Sequence, residues 1–100
     1  MADLIVSKGD FGFYLNFTVL DSDNSAFDLT DYTITLKVWD TALLFSGACD
    51  IVVAGAGTCK YLITVSDLSK AGNYALELEL TKAGVELSTK KYNLEIKESL

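Results

Sequence analysis

The run Lys70-Ala71-Gly72-Asn73-Tyr74-Ala75-Leu76-Glu77-Leu78-Glu79-Leu80 alternates apolar and polar residues from Tyr74 onward. Tyr74, Leu76, Leu78 and Leu80 fall on one side, Glu77 and Glu79 on the other. A period of two marks a β-strand with one buried and one wet face. The strand is entered through a turn that ends at Gly72, with Asp67 a few residues upstream. It is the natural centre of a sheet.

Working outward, the chain repeats that pattern. Leu4-Ile5-Val6 opens as a short β-branched edge strand, and Ser7-Lys8-Gly9-Asp10 turns it. From Phe11 to Leu20, Phe13, Leu15, Phe17 and Val19 share a face, opposite Tyr14, Asn16 and Thr18. Asp21-Ser22-Asp23-Asn24-Ser25 is a dense turn signal, followed by a short connection over Ala26–Asp31. Tyr32 to Trp39 sets Ile34, Leu36 and Val38 against Thr33, Thr35, Lys37 and Trp39. Leu43-Leu44-Phe45 is a compact apolar run. Ala48–Val53 and Thr58–Val65 read as a hairpin around Ala54-Gly55-Ala56-Gly57. Ser66–Ala71 reads as a turn, with room for a single helical turn capped by Ser66 or Asp67. A second hairpin turns at Lys82-Ala83-Gly84, and its return strand faces Tyr92, Leu94 and Ile96 inward.

Seven or eight short strands in 100 residues, with no amphipathic helix, repeat or linker, make one domain over residues 1–100. The expected architecture is an all-β, immunoglobulin-like antiparallel sandwich, with a small Greek-key barrel as the alternative. An acidic turn, Gly72 and then Tyr74 at the start of an alternating strand resembles the tyrosine corner of such sandwiches, where the phenol bonds upstream backbone. Tyr74, Gly72, Leu76, Leu78 and Trp39 are the residues expected to hold the fold.

Composition narrows the function. Half the residues are apolar or aromatic and mean hydropathy is +0.29, which fits a packed core rather than disorder. No apolar run approaches the ~20 residues a helical bilayer span needs, and the first eight residues lack the features of a secretory leader. A soluble, cytoplasmically made chain is the expectation. Net charge is −6, from eight Lys without Arg against fourteen acidic residues, so nucleic acid and anionic membranes are poor partners. The absence of His removes the commonest general base and metal ligand. No enzyme is expected, and no cofactor.

Four groups of residues invite a functional reading. Asp21-x-Asp23-x-Ser25 begins like a calcium loop, but Ala26 and Tyr32 stand where that loop needs Gly and Glu. Turn chemistry accounts for the acids, leaving only a weak surface calcium site at Asp21, Asp23 and Asp28 open. Cys49 and Cys59 both lie on inward phases. A hairpin turning at residues 54–57 sets Cys59 opposite Val53 and Cys49 opposite Ile63, about 13 Å apart along the ladder, which predicts two free thiols. Trp39 is expected to pack under Leu43-Leu44-Phe45; Trp39, Tyr14 or Tyr61 as ligand platforms is the alternative. Glu77 and Glu79 are expected to pair across strands with Lys82, Lys90 or Lys91. Leu43 and Phe45 share one phase and Leu44 the other, so the run is either a cap over the core or a surface for assembly.

The order of features resembles the N-terminal domain of phage baseplate upper proteins, an immunoglobulin-like tail and baseplate module. The resemblance is carried by Lys8-Gly9-Asp10 before a strand ending Phe17-Thr18-Val19-Leu20-Asp21; Phe27-Asp28-Leu29-Thr30 before Thr33-Ile34-Thr35-Leu36-Lys37-Val38; Ser46-Gly47-Ala48-Cys49-Asp50-Ile51-Val52; and Ala71-Gly72-Asn73-Tyr74. It implies a non-enzymatic attachment domain in a virion, made in the host cytoplasm, with neighbouring virion subunits or a second copy as partners. A ligand- or carbohydrate-binding sandwich is the alternative. The sequence departs from the pattern in having Asp31 where a glycine is frequent, and in showing no fibre or adaptor region after the sandwich.

Overall fold

The computed structural model describes residues 3–89 and 91–98. Met1 and Ala2 of the opening stretch and Lys90, one of the expected ion-pair partners, lie outside the described residues. Among the described residues nine strands form two sheets. They are β1 (Leu4–Ser7), β2 (Tyr14–Thr18), β3 (Thr33–Trp39), β4 (Leu43–Ala48), β5 (Asp50–Val53), β6 (Thr58–Leu62), β7 (Gly72–Lys82), β8 (Val85–Ser88) and β9 (Tyr92–Lys97). The larger sheet runs β1-β9-β7-β3-β4 with β8 also on β7, and the smaller runs β2-β6-β5. No ladder joins the two sheets among the described residues, which makes the fold an immunoglobulin-like sandwich and not a barrel.

Two details depart from the sequence expectation. The strand count is nine, because the return from β7 is broken: β8 pairs with the end of β7, β9 with its beginning. At the break the Thr89 hydroxyl accepts the Leu78 N–H at 3.0 Å. The second departure is that β1 adds to β9 in parallel, Leu4 beside Leu94 through Ser7 beside Lys97.

The core follows the alternation. Ile34, Leu36 and Val38 from β3 and Tyr74, Leu76, Leu78 and Leu80 from β7 face Leu15 and Val19, and Cys59, Tyr61 and Ile63 on or beside β6. Leu29 and Leu68, both from connections, are fully buried as well. The turn after β6 contains no helix: the Asp67 carboxylate reaches back to accept the Thr64 N–H at 2.9 Å.

The corner forms as a hydrogen bond from the Tyr74 hydroxyl to the Lys70 carbonyl, 2.9 Å, closing the turn that leads into β7. Gly72 sits at φ +152° with the Tyr74 ring 3.5 Å from where a side chain would start. Burial pushes the Tyr74 phenol up from its ordinary value. Tyr74→Phe should keep the fold and lose roughly 1–3 kcal/mol in denaturant melts, because the Lys70 carbonyl loses its donor. A Phe variant as stable as the parent would remove the hydroxyl from the account of the corner.

Candidate interaction edge

The sequence from Leu43 to Val53 forms one continuous side of the sandwich. β4 ends the larger sheet and β5 ends the smaller. Between them stands only Cys49, whose N–H donates to the Ile34 carbonyl at 2.8 Å in the larger sheet. The next residue, Asp50, already pairs with Lys60 in the smaller one. The chain therefore changes sheet within one residue and leaves an open strand flank on both layers.

Each half of this edge carries a β-bulge, and the bulges decide which side chains face out. On β4, Phe45 pairs with Val38 and Leu43 with Trp39, so Leu44 is the extra residue. The insertion breaks the period of two. Phe45 turns inward and is 8% exposed, Leu44 packs half-buried against the core, and Leu43 is left 60% exposed. This corrects the expectation of a three-residue assembly surface: Leu43 alone of the three is free to meet a partner. On β5, Ile51 pairs with Cys59 and Val53 with Thr58, so Val52 is the extra residue. Val52 and Val53 are 52% and 53% exposed, and Ile51 is exposed as well. Asp50 is the single charged residue from Leu43 to Val53. Soluble proteins commonly guard such edges with Lys or Pro; here the interruption comes from the two bulges.

The β5 bulge also corrects the cysteine geometry. With Ile51 opposite Cys59, continuation of the ladder puts Cys49 opposite Tyr61, two residues from Cys59 instead of four. The separation along the strand falls to about 7 Å, and the Cys49 thiol lies against that of Cys59. Both remain free thiols. Cys49 is half-buried, Cys59 buried. Sharing one proton between them pushes the Cys49 thiol up and lets Cys59 ionise below its ordinary value.

Tyr61 is the anchor beneath the edge, and it is buried rather than a platform for ligands. Its ring stacks on Phe45 at 5.9 Å between centroids, and fills the space where a side chain on Gly47 would begin, 2.7 Å away. Its hydroxyl donates to the Asp67 carboxylate at 2.8 Å. Burial, and then that carboxylate, push the phenol well above its ordinary value.

The remaining candidates are dispersed. Trp39 does not lie under the apolar run: it pairs with Leu43 on one side and Ala75 on the other, on the outer face of the larger sheet. Tyr14 lies on the outer face of the smaller sheet, with the Lys60 ammonium 4.2 Å above its ring. The three aromatics thus share no surface. Among the described residues the partner of Glu79 is Lys37 of β3 at 2.9 Å, and neither Lys82 nor Lys91. That carboxylate holds the Lys37 ammonium above its ordinary value. Lys82 instead sits over the Tyr32 ring at 4.6 Å.

The acidic loop is occupied by its own backbone. Asp21 accepts the N–H of Asp23 and of Ser25, each at 3.2 Å. Asp28 accepts the Thr30 hydroxyl at 2.6 Å and its N–H at 3.0 Å, which holds its carboxyl below the ordinary range. Among the described residues no three ligating side chains converge.

A shallow groove of about 510 Å³ opens on the other flank, between the Val19–Asn24 turn and β8–β9, with Phe27, Leu87 and Tyr92 in its lining. Its walls mix apolar groups with hydroxyls, the Asn24 amide and the Asp21 carboxylate, and among the described residues no cationic side chain lines it. Compared with family models and with curated proteins, the chain matches none.

Proposed function

We propose that this chain is a non-enzymatic assembly module of a phage or prophage virion, docking on a neighbouring subunit through the β4–β5 edge. The observation that carries the docking is the edge itself. Among the described residues no strand pairs with the outer flank of either sheet there, Leu43, Ile51, Val52 and Val53 are exposed, and Asp50 is its single charge. A partner strand laid along β4 would gain main-chain hydrogen bonds, and the exposed β5 side chains would give it selectivity.

The virion context rests on the sequence resemblance. One structural detail is consistent with it: Asp31, at the position where a glycine is frequent, adopts the left-handed backbone at φ +67° that glycine favours. The lack of His and Arg supports a role without chemistry.

Two substitutions on exposed side chains test the edge, Leu43→Asp and Val52→Lys. Co-expressed with the products of adjacent genes, the parent should co-purify with one of them as a complex measurable by light scattering. Each variant should keep the parent's far-UV spectrum and Tm within a degree or two, and lose that complex. Folded variants that still assemble would place the interface elsewhere. Adjacent genes that encode no tail component would remove the virion context and leave the edge to be judged alone.

A further inference from the structure

We propose that Cys49 and Cys59 are a modification site: in the folded protein they close to an intramolecular disulfide on exposure to a mild disulfide oxidant. The cross-link would tie the open edge to the middle of the smaller sheet. This reading is independent of the docking proposal, because it concerns the inner side of the same strand.

Three observations bring the pair together. The bulge at Val52 sets the register that places the cysteines diagonally across the β5–β6 ladder, on its inward face. A diagonal pair in a flat ladder lies just beyond disulfide reach unless the backbone moves. Here, however, the chain leaves the smaller sheet at Cys49 to bond Ile34 of the larger one, and the two thiols lie against each other. Among the described residues no strand lies beyond Cys49, so the small backbone shift that closure requires is opposed from one side alone, by its bond to Ile34 and the Asp50–Lys60 pairing.

Access is one-sided. Cys59 is fully buried, whereas Cys49 is partly exposed where the chain changes sheet. An incoming disulfide such as oxidised glutathione therefore meets Cys49 first. The Cys49 sulfur, having lost its proton, attacks one sulfur of the oxidant, forms a mixed disulfide and releases the first glutathione thiolate. The Cys59 thiolate then attacks the Cys49 sulfur, breaks the mixed bond and releases the second glutathione thiolate. Two thiol protons leave, two electrons pass to the oxidant, and one glutathione disulfide becomes two thiols. Once Cys49 is in the mixed disulfide it has no proton left to share, so Cys59 gives up its own proton to solvent base as it attacks, driven by its position beside the Cys49 sulfur. The first step is slow, since burial and the shared proton disfavour the Cys49 thiolate.

The test uses the intact folded protein and oxidised glutathione at pH 8, with thiols counted after denaturation. Over hours both thiols should disappear together, the mass should fall by two hydrogens, and peptide mapping should find Cys49 joined to Cys59. The product should melt several degrees higher than the reduced protein, and dithiothreitol should reverse the change. Two thiols still intact would overturn the proposal. A stable glutathione adduct on Cys49, or a disulfide between chains, would overturn it equally, since each shows the second thiol out of reach.

Discussion

Tyr61→Ala should cost about 3–5 kcal/mol, close to the largest loss a single truncation can produce in this domain. The ring bridges the smaller sheet to β4, through its stack on Phe45 and its contact with Gly47. Its removal opens a cavity between the layers and frees Asp67 from its phenol. The same geometry predicts a reciprocal effect. Gly47→Ala should destabilise the parent, because a methyl group there meets the ring at 2.7 Å, and should be tolerated in the Tyr61→Ala background. A double-mutant cycle by urea melts measures this coupling. Independent, additive losses would show that the ring and Gly47 are not packed as described.

Tyr61 also carries a pH signature. Its folded pKa is raised by burial and by Asp67, so its contribution to stability is complete below the unfolded phenol value near 10. It is lost as pH climbs from there through the folded value. Melting temperatures should therefore fall increasingly between pH 10 and pH 11.5, and Tyr61→Phe should flatten that fall.

Gly57→Ala is expected to be the second large loss, about 3 kcal/mol or more. Gly57 ends the 3₁₀ turn Ala54–Ala56 with φ +70°, and its carbonyl accepts the Val19 N–H at 2.7 Å. A methyl group would stand 2.4 Å from the Val19 carbonyl oxygen and 2.9 Å from that of Phe27. Backbone on both sides leaves nothing flexible to move aside. Gly84 supplies the control: it has a similar φ of +77° but open space around it. Gly84→Ala should cost only the left-handed backbone, about 1–2 kcal/mol. Equal losses at the two positions, read from chemical denaturation, would mean that the carbonyl contacts at Gly57 are unimportant.

The parts of the fold that sequence reading reached are those written in local periodicity. β3, β7 and β9 alternate cleanly, so their inward residues were identifiable, and the Gly72–Tyr74 entry announced the corner. What it missed turns on single inserted residues. Leu44 and Val52 look like any other strand positions, yet as bulges they flip Phe45 inward and move Cys49 two places closer to Cys59. Nothing in the flanking composition marks them, since neither is a glycine in a turn. The Lys37–Glu79 pair was missed for a different reason: it joins residues 42 apart in sequence, and only the β3–β7 register selects it. The interaction edge was half visible, as an uncharged stretch, but its exposed side chains depended on those same bulges.

The parallel pairing of β1 with β9 has a mechanical meaning. The two strands run side by side in the same direction, and the ladder is bracketed by Asp3 N–H to the Asn93 carbonyl at 3.0 Å and Lys8 N–H to the Lys97 carbonyl at 2.8 Å. A pull on Asp3 draws β1 back toward its start, while a pull on Glu98 draws β9 forward toward its end. The two strands are then forced to slide past each other along their length. In that geometry the cross-strand hydrogen bonds share the load at once, whereas a hairpin pulled open from one end yields bond by bond. Force transmitted between Asp3 and Glu98 would therefore load this ladder in shear along its whole length.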